Sequence, residues 1–89
     1  MKFALILATL VSISSATVMC KSYSHGAIKK LCYGTESKGL YIKDPLGDWH
    51  KYMNVPQRHY NNMIKLSNPT QYFLNNIRGM YYVQQGVAP

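Results

Sequence analysis

The fold class that the sequence predicts is a small, mainly α-helical domain behind a cleaved N-terminal signal. The domain would contain two to three short helices and at most one short strand-like segment. Three features predict it: an apolar N-terminal segment, apolar residues at helical spacing through the last 45 residues, and one isolated strand-like run at residues 40–42. A chain this short forms one small domain at most, and its hydrophobic core is marginal without a covalent staple.

The first residues have the form of an export signal. Lys2 gives a positively charged start, residues 3–11 form a nearly uninterrupted apolar run, and residues 12–16 turn small and polar. We therefore expect residues 1–19 to be an export signal segment and residues 20–89 to be a single small basic mature domain. The expected localisation is outside the cytoplasm, either secreted or associated with the cell envelope or a membrane.

Two cleavage positions are open. Cleavage after Ala16 places the small residues Ser14 and Ala16 at the two positions that signal peptidase reads. Cleavage before Cys20 would instead make Cys20 a lipid attachment residue, as in bacterial lipoproteins, although Thr17 and Met19 depart from the usual residues of that motif. Retention of the segment as an anchor fits less well, because five of its residues are Ser or Thr and a membrane span takes about 20 mainly apolar residues.

The two cysteines have different fates under these alternatives. If the signal ends at Ala16, Cys20 and Cys32 both remain and can form a disulfide that stabilises the domain by about 3 kcal/mol. If Cys20 carries a lipid, Cys32 is left as a lone exported cysteine, which favours a disulfide-linked homodimer through Cys32. Two cysteines are too few for a disulfide-dense toxin scaffold.

The mature segment begins with a predicted helix at residues 24–33. Its apolar residues recur at i, i+1, i+4 and i+5 from Ala27, which places them on one face, and Gly34 is a typical stop signal. The next element is the strand-like run Leu40–Ile42, with turn residues on both sides. This run is too short and isolated to build a sheet.

The rest of the chain is helical in pattern. Asp44-Pro45 is a typical N-terminal pair of a helix, whose apolar side starts at Trp49 and which ends at Val55-Pro56. A second helical segment covers residues 57–66, where apolar residues again recur at i, i+3 and i+4. The clearest helix start is Ser67-Asn68-Pro69, because two capping residues precede a proline.

A C-terminal helix is predicted from Pro69 to about Gln85, where Gly86 ends it. Two interpretations of this amphipathic helix are open: it packs inward as a core helix, or it docks on a protein partner. Its polar face carries one basic residue, Arg78, which argues against a helix lying on a membrane surface. The candidate partner-contact residues are Phe73, Ile77, Met80 and Tyr81.

The tyrosine content also has two interpretations. The chain has eight tyrosines against two phenylalanines and one tryptophan. Tyrosine is enriched in binding surfaces because it combines a large contact area with a polar tip. The alternative is that tyrosine replaces phenylalanine and leucine in a small, partly hydrated core.

The charge indicates an anionic partner. Lys2 accounts for one of the ten Lys and Arg residues, so nine remain against three acidic residues and the mature net charge is +6. A basic exported protein meets lipid headgroups, envelope polymers or acidic protein patches, so the expected partner is a protein or an anionic membrane surface. The export signal argues against a nucleic acid. The alternative is that the charge merely keeps the domain in solution.

No residue pattern indicates catalysis, a metal site or a cofactor. His25 and Cys32 would lie about 10 Å apart on the predicted helix, which is too far for a nucleophile and its general base. The three histidines lack the close pairing of zinc ligands, and no C-x-x-C motif occurs. We therefore predict a protein that is not an enzyme.

Together these observations predict a small exported interaction protein that acts at a membrane or cell envelope, anchored in one alternative through a lipid on Cys20. Its plan resembles that of small envelope lipoproteins such as the outer-membrane spanin subunits of phages, which link to an inner-membrane partner during host lysis. The alternatives are a secreted basic peptide that acts on anionic membranes or a receptor, as an antimicrobial, toxin-like or glandular effector, and a secreted protein inhibitor.

Overall fold

The computed structural model describes residues 17–89, and its main element is a five-stranded antiparallel sheet. The predicted mainly α-helical fold class is therefore wrong, because the fold is mainly β with two short helices. Residues 1–16 of the predicted export signal lie outside the described residues. The elements are β1 Val18–Ser22, β2 Lys30–Gly34, β3 Gly39–Lys43, β4 Trp49–Tyr52, α1 Gln57–Met63, α2 Thr70–Asn76 and β5 Val83–Gln85.

The strands follow one another in space as they do along the chain, and every neighbouring pair is antiparallel. Both helices lie in the connection between β4 and β5. This connection carries the chain over one face of the sheet before β5 returns to pair with β4. We call the face under the helices the inner face and the opposite face the outer face.

The hydrophobic core lies between the inner face and the helices. Side chains alternate between the two faces along a strand, and Leu31, Tyr33, Leu40 and Ile42 point inward and are buried. The buried residues that the segment after β4 contributes are Val55, His59, Tyr60, Met63, Pro69 and Ile77. Tyr60 stacks on Tyr33 with ring centroids 5.8 Å apart. The inner face of the sheet therefore forms one side of the core, and the segment after β4 forms the other.

Two tyrosine hydroxyl groups fasten the inner face to the two ends of α1. The Tyr33 hydroxyl donates to the Val55 carbonyl oxygen at 2.5 Å, and the Tyr23 hydroxyl donates to the Met63 carbonyl oxygen at 3.0 Å. A buried hydroxyl group needs such a partner to offset the loss of its water contacts. Four of the eight tyrosines belong to this core, which fits the core interpretation for half of the tyrosine content.

The prediction of a helix at residues 24–33 is wrong. The second half of this segment is strand β2, which is buried on both faces. Residues 24–29 form an irregular loop, and β2 begins at Lys30. Leu31 faces the core, whereas Cys32 is buried on the outer face, where it forms the disulfide with Cys20. Adjacent apolar residues hide the alternation that would indicate a strand, and their spacing also fits a helix.

The predicted helix that begins at Asp44-Pro45 is a turn followed by β4. The Asp44 carboxylate accepts hydrogen bonds from the backbone N–H groups of Leu46 and Asp48, both at 2.9 Å. Aspartate uses this bonding to stabilise turns in competition with helices. Trp49 and Tyr52, read as one helix face at i and i+3, instead point to opposite faces of the sheet.

The two helices begin close to where the sequence predicts them. α1 begins at Gln57, directly after a proline, and α2 begins at Thr70, whose backbone N–H donates to the side-chain oxygen of Asn68 at 3.1 Å. The prediction that the last helix continues to about Gln85 is wrong. Gly79 adopts a φ of +80°, and β5 pairs with β4, so strand pairing replaces the last turns of the predicted helix.

A disulfide joins the first two strands. Cys20 and Cys32 lie directly opposite each other in the register of β1 and β2, and their sulfur atoms are bonded. Of the alternatives that the sequence leaves open, this arrangement is the one in which both cysteines are retained. No residue of β1 is fully buried, so the disulfide is a main attachment of this edge strand.

We predict that removal of the disulfide lowers the free energy of unfolding by about 3 kcal/mol, because the crosslink restricts the unfolded chain. The measurement is urea unfolding of the oxidised protein and of the Cys20→Ala/Cys32→Ala variant. A reducing agent should lower the midpoint for the unmodified protein and leave the variant unchanged. Equal midpoints for the oxidised protein and the variant would contradict the prediction.

A pair of glycines tests the contact between the 24–29 loop and α2. Gly26 and Gly47 have φ values of +88° and +91°, so alanine costs about 1–2 kcal/mol at either position. At Gly26 the added Cβ would also fall on the side chains of Asn68 and Thr70, whereas at Gly47 it meets no atom within 4 Å. We predict that Gly26→Ala destabilises the protein by about 1 kcal/mol more than Gly47→Ala, because it also breaks the Asn68–Thr70 hydrogen bonds. Equal urea midpoints for the two variants would refute this.

Candidate functional site

The outer face of the sheet collects basic and aromatic side chains from neighbouring strands. Residues opposite each other in register point to the same face, so the pairings define two rows across it. One row contains Ser22, Lys30, Lys43 and Trp49, and the next row contains Cys20, Cys32, Tyr41, Lys51 and Gln84. We call the set formed by Lys30, Lys43, Lys51, Tyr41 and Trp49 the cationic face.

Two lysines of the cationic face lie over aromatic rings. The Lys43 ammonium group lies 5.9 Å from the centre of the Trp49 ring, and the Lys51 ammonium group lies 5.4 Å from the centre of the Tyr41 ring. Each pair comes from adjacent strands. A cation over a ring face is attracted by the ring quadrupole, so these contacts hold the ammonium groups close to the sheet surface.

Glycine lets the Lys51 side chain lie flat on this face. A Cβ atom at Gly39 would come within 2.8 Å of the Lys51 side chain and 3.2 Å of the Tyr41 ring. The disulfide lies in the same row, and Gly34 has no side chain, so no large side chain protrudes from the surface next to Lys51. The outer face therefore offers a broad, shallow surface rather than a deep cleft.

The turn between β3 and β4 extends the cationic face at one end. Leu46 at its tip is 88% exposed. Beside it, a hollow of about 550 Å³ is lined by Lys29, Lys30 and Lys43 together with Ser22 and the turn itself. Within residues 17–89, none of these three lysines forms a salt bridge. The hollow therefore presents positive charge next to an exposed apolar side chain.

Of the two acidic residues at this turn, Asp44 and Asp48, the Asp44 side chain is engaged in hydrogen bonds. The Asp44 carboxylate lies 2.9 Å from Nε2 of His50, and Nδ1 of the same ring is hydrogen-bonded to the Gln85 side chain. The hydrogen bond to His50 and the backbone N–H of Asp48 lower the pKa of Asp44 below its usual 3.8. The hydrogen bond to Asp44 raises the pKa of His50 above 6.5. The carboxylate therefore supports the turn; it lines the same hollow as the three lysines but forms no salt bridge with them.

This architecture matches one known domain family. The family model of the KTSC domain matches residues 24–82, which is more than half of the chain. The chain belongs to the KTSC domain family. A crystal structure of a KTSC domain protein from Yersinia pestis has a TM-score of 0.68 to it, with coverage of 78% of this chain and 97% of that chain. The two sequences are 20% identical, so this likeness shows the fold alone. No curated protein matches the chain.

The range of the KTSC match divides the sheet unequally. All five residues of the cationic face lie within residues 24–82, whereas β1, with Cys20, and β5 lie outside that range. The disulfide therefore joins a strand outside the KTSC match to a strand within it.

A second polar cluster lies in the helical layer. Buried His59 on α1 is hydrogen-bonded through Nδ1 to the Tyr72 hydroxyl of α2 at 2.8 Å and through Nε2 to the Tyr81 hydroxyl at 3.2 Å. Asn62 also donates to the Tyr72 hydroxyl, at 3.1 Å. The cluster connects α1, α2 and the segment before β5. These hydrogen bonds hold α1, α2 and the segment before β5 together.

The four predicted partner-contact residues do not form one exposed surface. Ile77 is fully buried, and Phe73 packs edge-on against the Tyr52 ring with centroids 5.4 Å apart. Tyr81 is half-buried and bonds to His59, whereas Met80 is 67% exposed. These four residues therefore lie in or just after α2, but they do not share one exposed face.

Sequence reasoning missed the cationic face. The signal that could have found it is the period-two pairing of Tyr41 with Lys43 and of Trp49 with Lys51, which puts each lysine on the same face as an aromatic ring. The helical reading of residues 44–55 separated these residues.

Two further observations concern the described part of the chain. The helices within residues 17–89 are too short or too polar to cross a bilayer. In the same range, no three or more His, Cys, Asp or Glu side chains are grouped so as to hold a metal ion.

The two bonded histidines predict opposite pH effects on stability. Burial, with a smaller contribution from the charge of Arg58, lowers the pKa of His59 below 6.5. The folded state therefore resists protonation of His59, and this histidine's contribution to stability is lost as the pH falls below 6.5. His50 has a raised pKa, so its contribution is present below pH 6.5 and is lost as the pH rises through its folded-state pKa.

The test is urea unfolding of the unmodified protein, His59→Gln and His50→Gln from pH 5 to 8.5. The stability advantage of the unmodified protein over His59→Gln should shrink toward acidic pH, and its advantage over His50→Gln should grow. Glutamine keeps some hydrogen bonding at each site. Two differences that change in the same direction would contradict the assignment.

Proposed function

We propose that this KTSC domain protein is an exported, non-enzymatic binding protein whose cationic face attaches to an anionic membrane surface. The observation that carries the proposal is the cluster of Lys29, Lys30 and Lys43, none of which forms a salt bridge within residues 17–89, around an exposed leucine at the edge of the outer face. The helices pack on the opposite face, so binding there needs no rearrangement of the core.

The charge distribution supports a membrane surface because the lysines spread over a broad area. Lys30, Lys43 and Lys51 stand on three neighbouring strands, and neighbouring strands lie about 5 Å apart. Each basic residue near an anionic membrane surface contributes about 1 kcal/mol. A shallow cationic face can bring several of them to the headgroups at once.

The apolar groups support shallow insertion at one end of this face. Leu46 protrudes from the turn at 88% exposure, and Trp49 follows on the outer face beside Lys43. Leucine and tryptophan next to lysines are typical of proteins that lie in the membrane interface. An acidic protein patch would use the lysines equally well but would leave the protruding Leu46 without a role.

The N-terminal end of the fold supports export with cleavage after Ala16. Thr35 donates from its backbone N–H, at 3.0 Å, to the carbonyl oxygen of Thr17, and Val18 and Met19 belong to β1. Cleavage after Ala16 leaves this strand complete, whereas cleavage before Cys20 removes two of its residues. The Cys20 sulfur is also bonded to Cys32, so a lipid on it would require loss of the disulfide. These features favour the alternative without a lipid anchor.

We predict that the oxidised protein co-sediments with vesicles rich in phosphatidylglycerol and not with vesicles of phosphatidylcholine alone. The Lys43→Gln/Lys51→Gln variant should bind the anionic vesicles about 30-fold more weakly, because two lysines near the surface contribute about 2 kcal/mol. Raising the salt concentration from roughly 0.05 to roughly 0.2 M should weaken binding of the unmodified protein.

The matched control is Arg58→Gln/Lys65→Gln, which removes the same charge from exposed positions in and just after α1. It should retain most of the binding, and Leu46→Ser should weaken binding while preserving its salt dependence. Equal losses in the two charge variants would show a general charge effect and overturn the assignment to the cationic face. Absence of vesicle binding, with 1:1 binding to an acidic protein, would favour a protein partner instead.

A further inference from the structure

Helix α2 packs against the rest of the molecule more loosely than α1 does. α1 buries His59, Tyr60 and Met63, whereas none of the seven residues of α2 is buried. Its apolar residues Phe73 and Leu74 are partly or largely exposed. An amphipathic helix normally turns its apolar side into a packed core, so space remains beneath α2.

That space is a cavity of about 290 Å³ on the inner side of the sheet. It is a partly open cavity lined by Ile42 and Tyr52 of the sheet, by Ile28 of the loop after β1, and by Phe73 and Leu74 of α2. The Phe73 ring packs edge-on against Tyr52, which fixes one side of the opening. The lining is mainly apolar, and the sheet, α2 and the two neighbouring loops all contribute to it.

One charged side chain that lines the cavity has no salt-bridge partner among residues 17–89. Arg78 lines the cavity just after α2 and forms no salt bridge within residues 17–89. Asp44 and His50 also reach the rim, but they bond to each other at 2.9 Å, and the other carboxylate oxygen accepts two backbone N–H groups. The side chain left to pair with an incoming group is therefore the guanidinium of Arg78.

We propose that this cavity binds a small monocarboxylate with a single aromatic ring or a short branched chain as its apolar part. The ring or chain would occupy the space between Ile42, Phe73 and Leu74, and the carboxylate would meet Arg78 at the rim. This site lies on the opposite side of the sheet from the cationic face, with the Asp44 turn between them, and binding there does not require membrane binding.

The size and chemistry of the cavity support this ligand class. An apolar protein cavity of about 150 Å³ stays dry and takes up benzene, so about 290 Å³ accommodates a ring with a short side chain. Small-molecule sites combine a mainly apolar lining with a few polar groups that set orientation. Arginine suits this role because its planar guanidinium pairs with a carboxylate through two parallel hydrogen bonds.

The experiment is an NMR titration of the oxidised full-length mature protein with 3-phenylpropanoate and with its neutral analogue 3-phenylpropanamide. We expect 3-phenylpropanoate to shift the resonances of Ile28, Ile42 and Leu74 and to bind about tenfold more tightly than the amide, because of the charged contact. In Arg78→Gln the two compounds should bind equally. Arg78 is exposed, so this variant is expected to fold.

A second variant tests the cavity itself. Leu74→Trp, at a position that is 40% exposed, should fill the opening and abolish binding of both compounds. Lys43→Gln/Lys51→Gln should bind 3-phenylpropanoate like the unmodified protein, so failure here and failure of the membrane proposal are distinguishable. The proposal is overturned if neither compound shifts the cavity resonances, if acid and amide bind equally to the unmodified protein, or if the shifts map to the lysines of the outer face.

Discussion

The hydrogen bonds from the Tyr23 and Tyr33 hydroxyl groups to backbone carbonyls at the two ends of α1 determine how the molecule is arranged. The apolar side chains of the inner face favour packing of the helices on that face, but apolar burial alone does not fix where α1 lies on it. A buried hydroxyl without a partner costs about 1–3 kcal/mol, so each tyrosine fixes α1 at one position on the inner face. That choice leaves the outer face uncovered by the helices.

The two faces consequently carry different chemistry. The outer face keeps its lysines close to the surface through aromatic contacts between adjacent strands, while the inner face is apolar and closes around a cavity under α2. The turn from Asp44 to Asp48 borders both regions. Its shape depends on three hydrogen bonds to one carboxylate, so the same side chain directs Leu46 outward and completes the cavity rim.

Sequence reasoning found local signals and failed where two periodicities overlap. Proline and asparagine before Gln57 and Thr70 act within one turn of chain, and both helix starts were close to the observed ones. The strand-like run at residues 40–42 lies within β3, but β2 was predicted as a helix because Cys32 is buried on the outer face by its bond to Cys20 on another strand. The last helix was extended too far because pairing of β5 with β4 is a tertiary effect that overrides local propensity. The cationic face depends on register, which no single segment contains.

The disulfide gives this KTSC domain a dependence on its surroundings. β1 alternates exposed and partly buried side chains with none fully buried, so apolar burial holds it weakly to β2. It also lies outside the range of the family match. A short edge strand with little burial needs another attachment, and the Cys20–Cys32 bond provides one that persists in an oxidising compartment. The same strand begins two residues after the predicted cleavage site at Ala16. Cleavage after Ala16 would therefore leave the sheet complete. A reducing environment would break the disulfide and weaken the attachment of β1 to β2 next to Lys30.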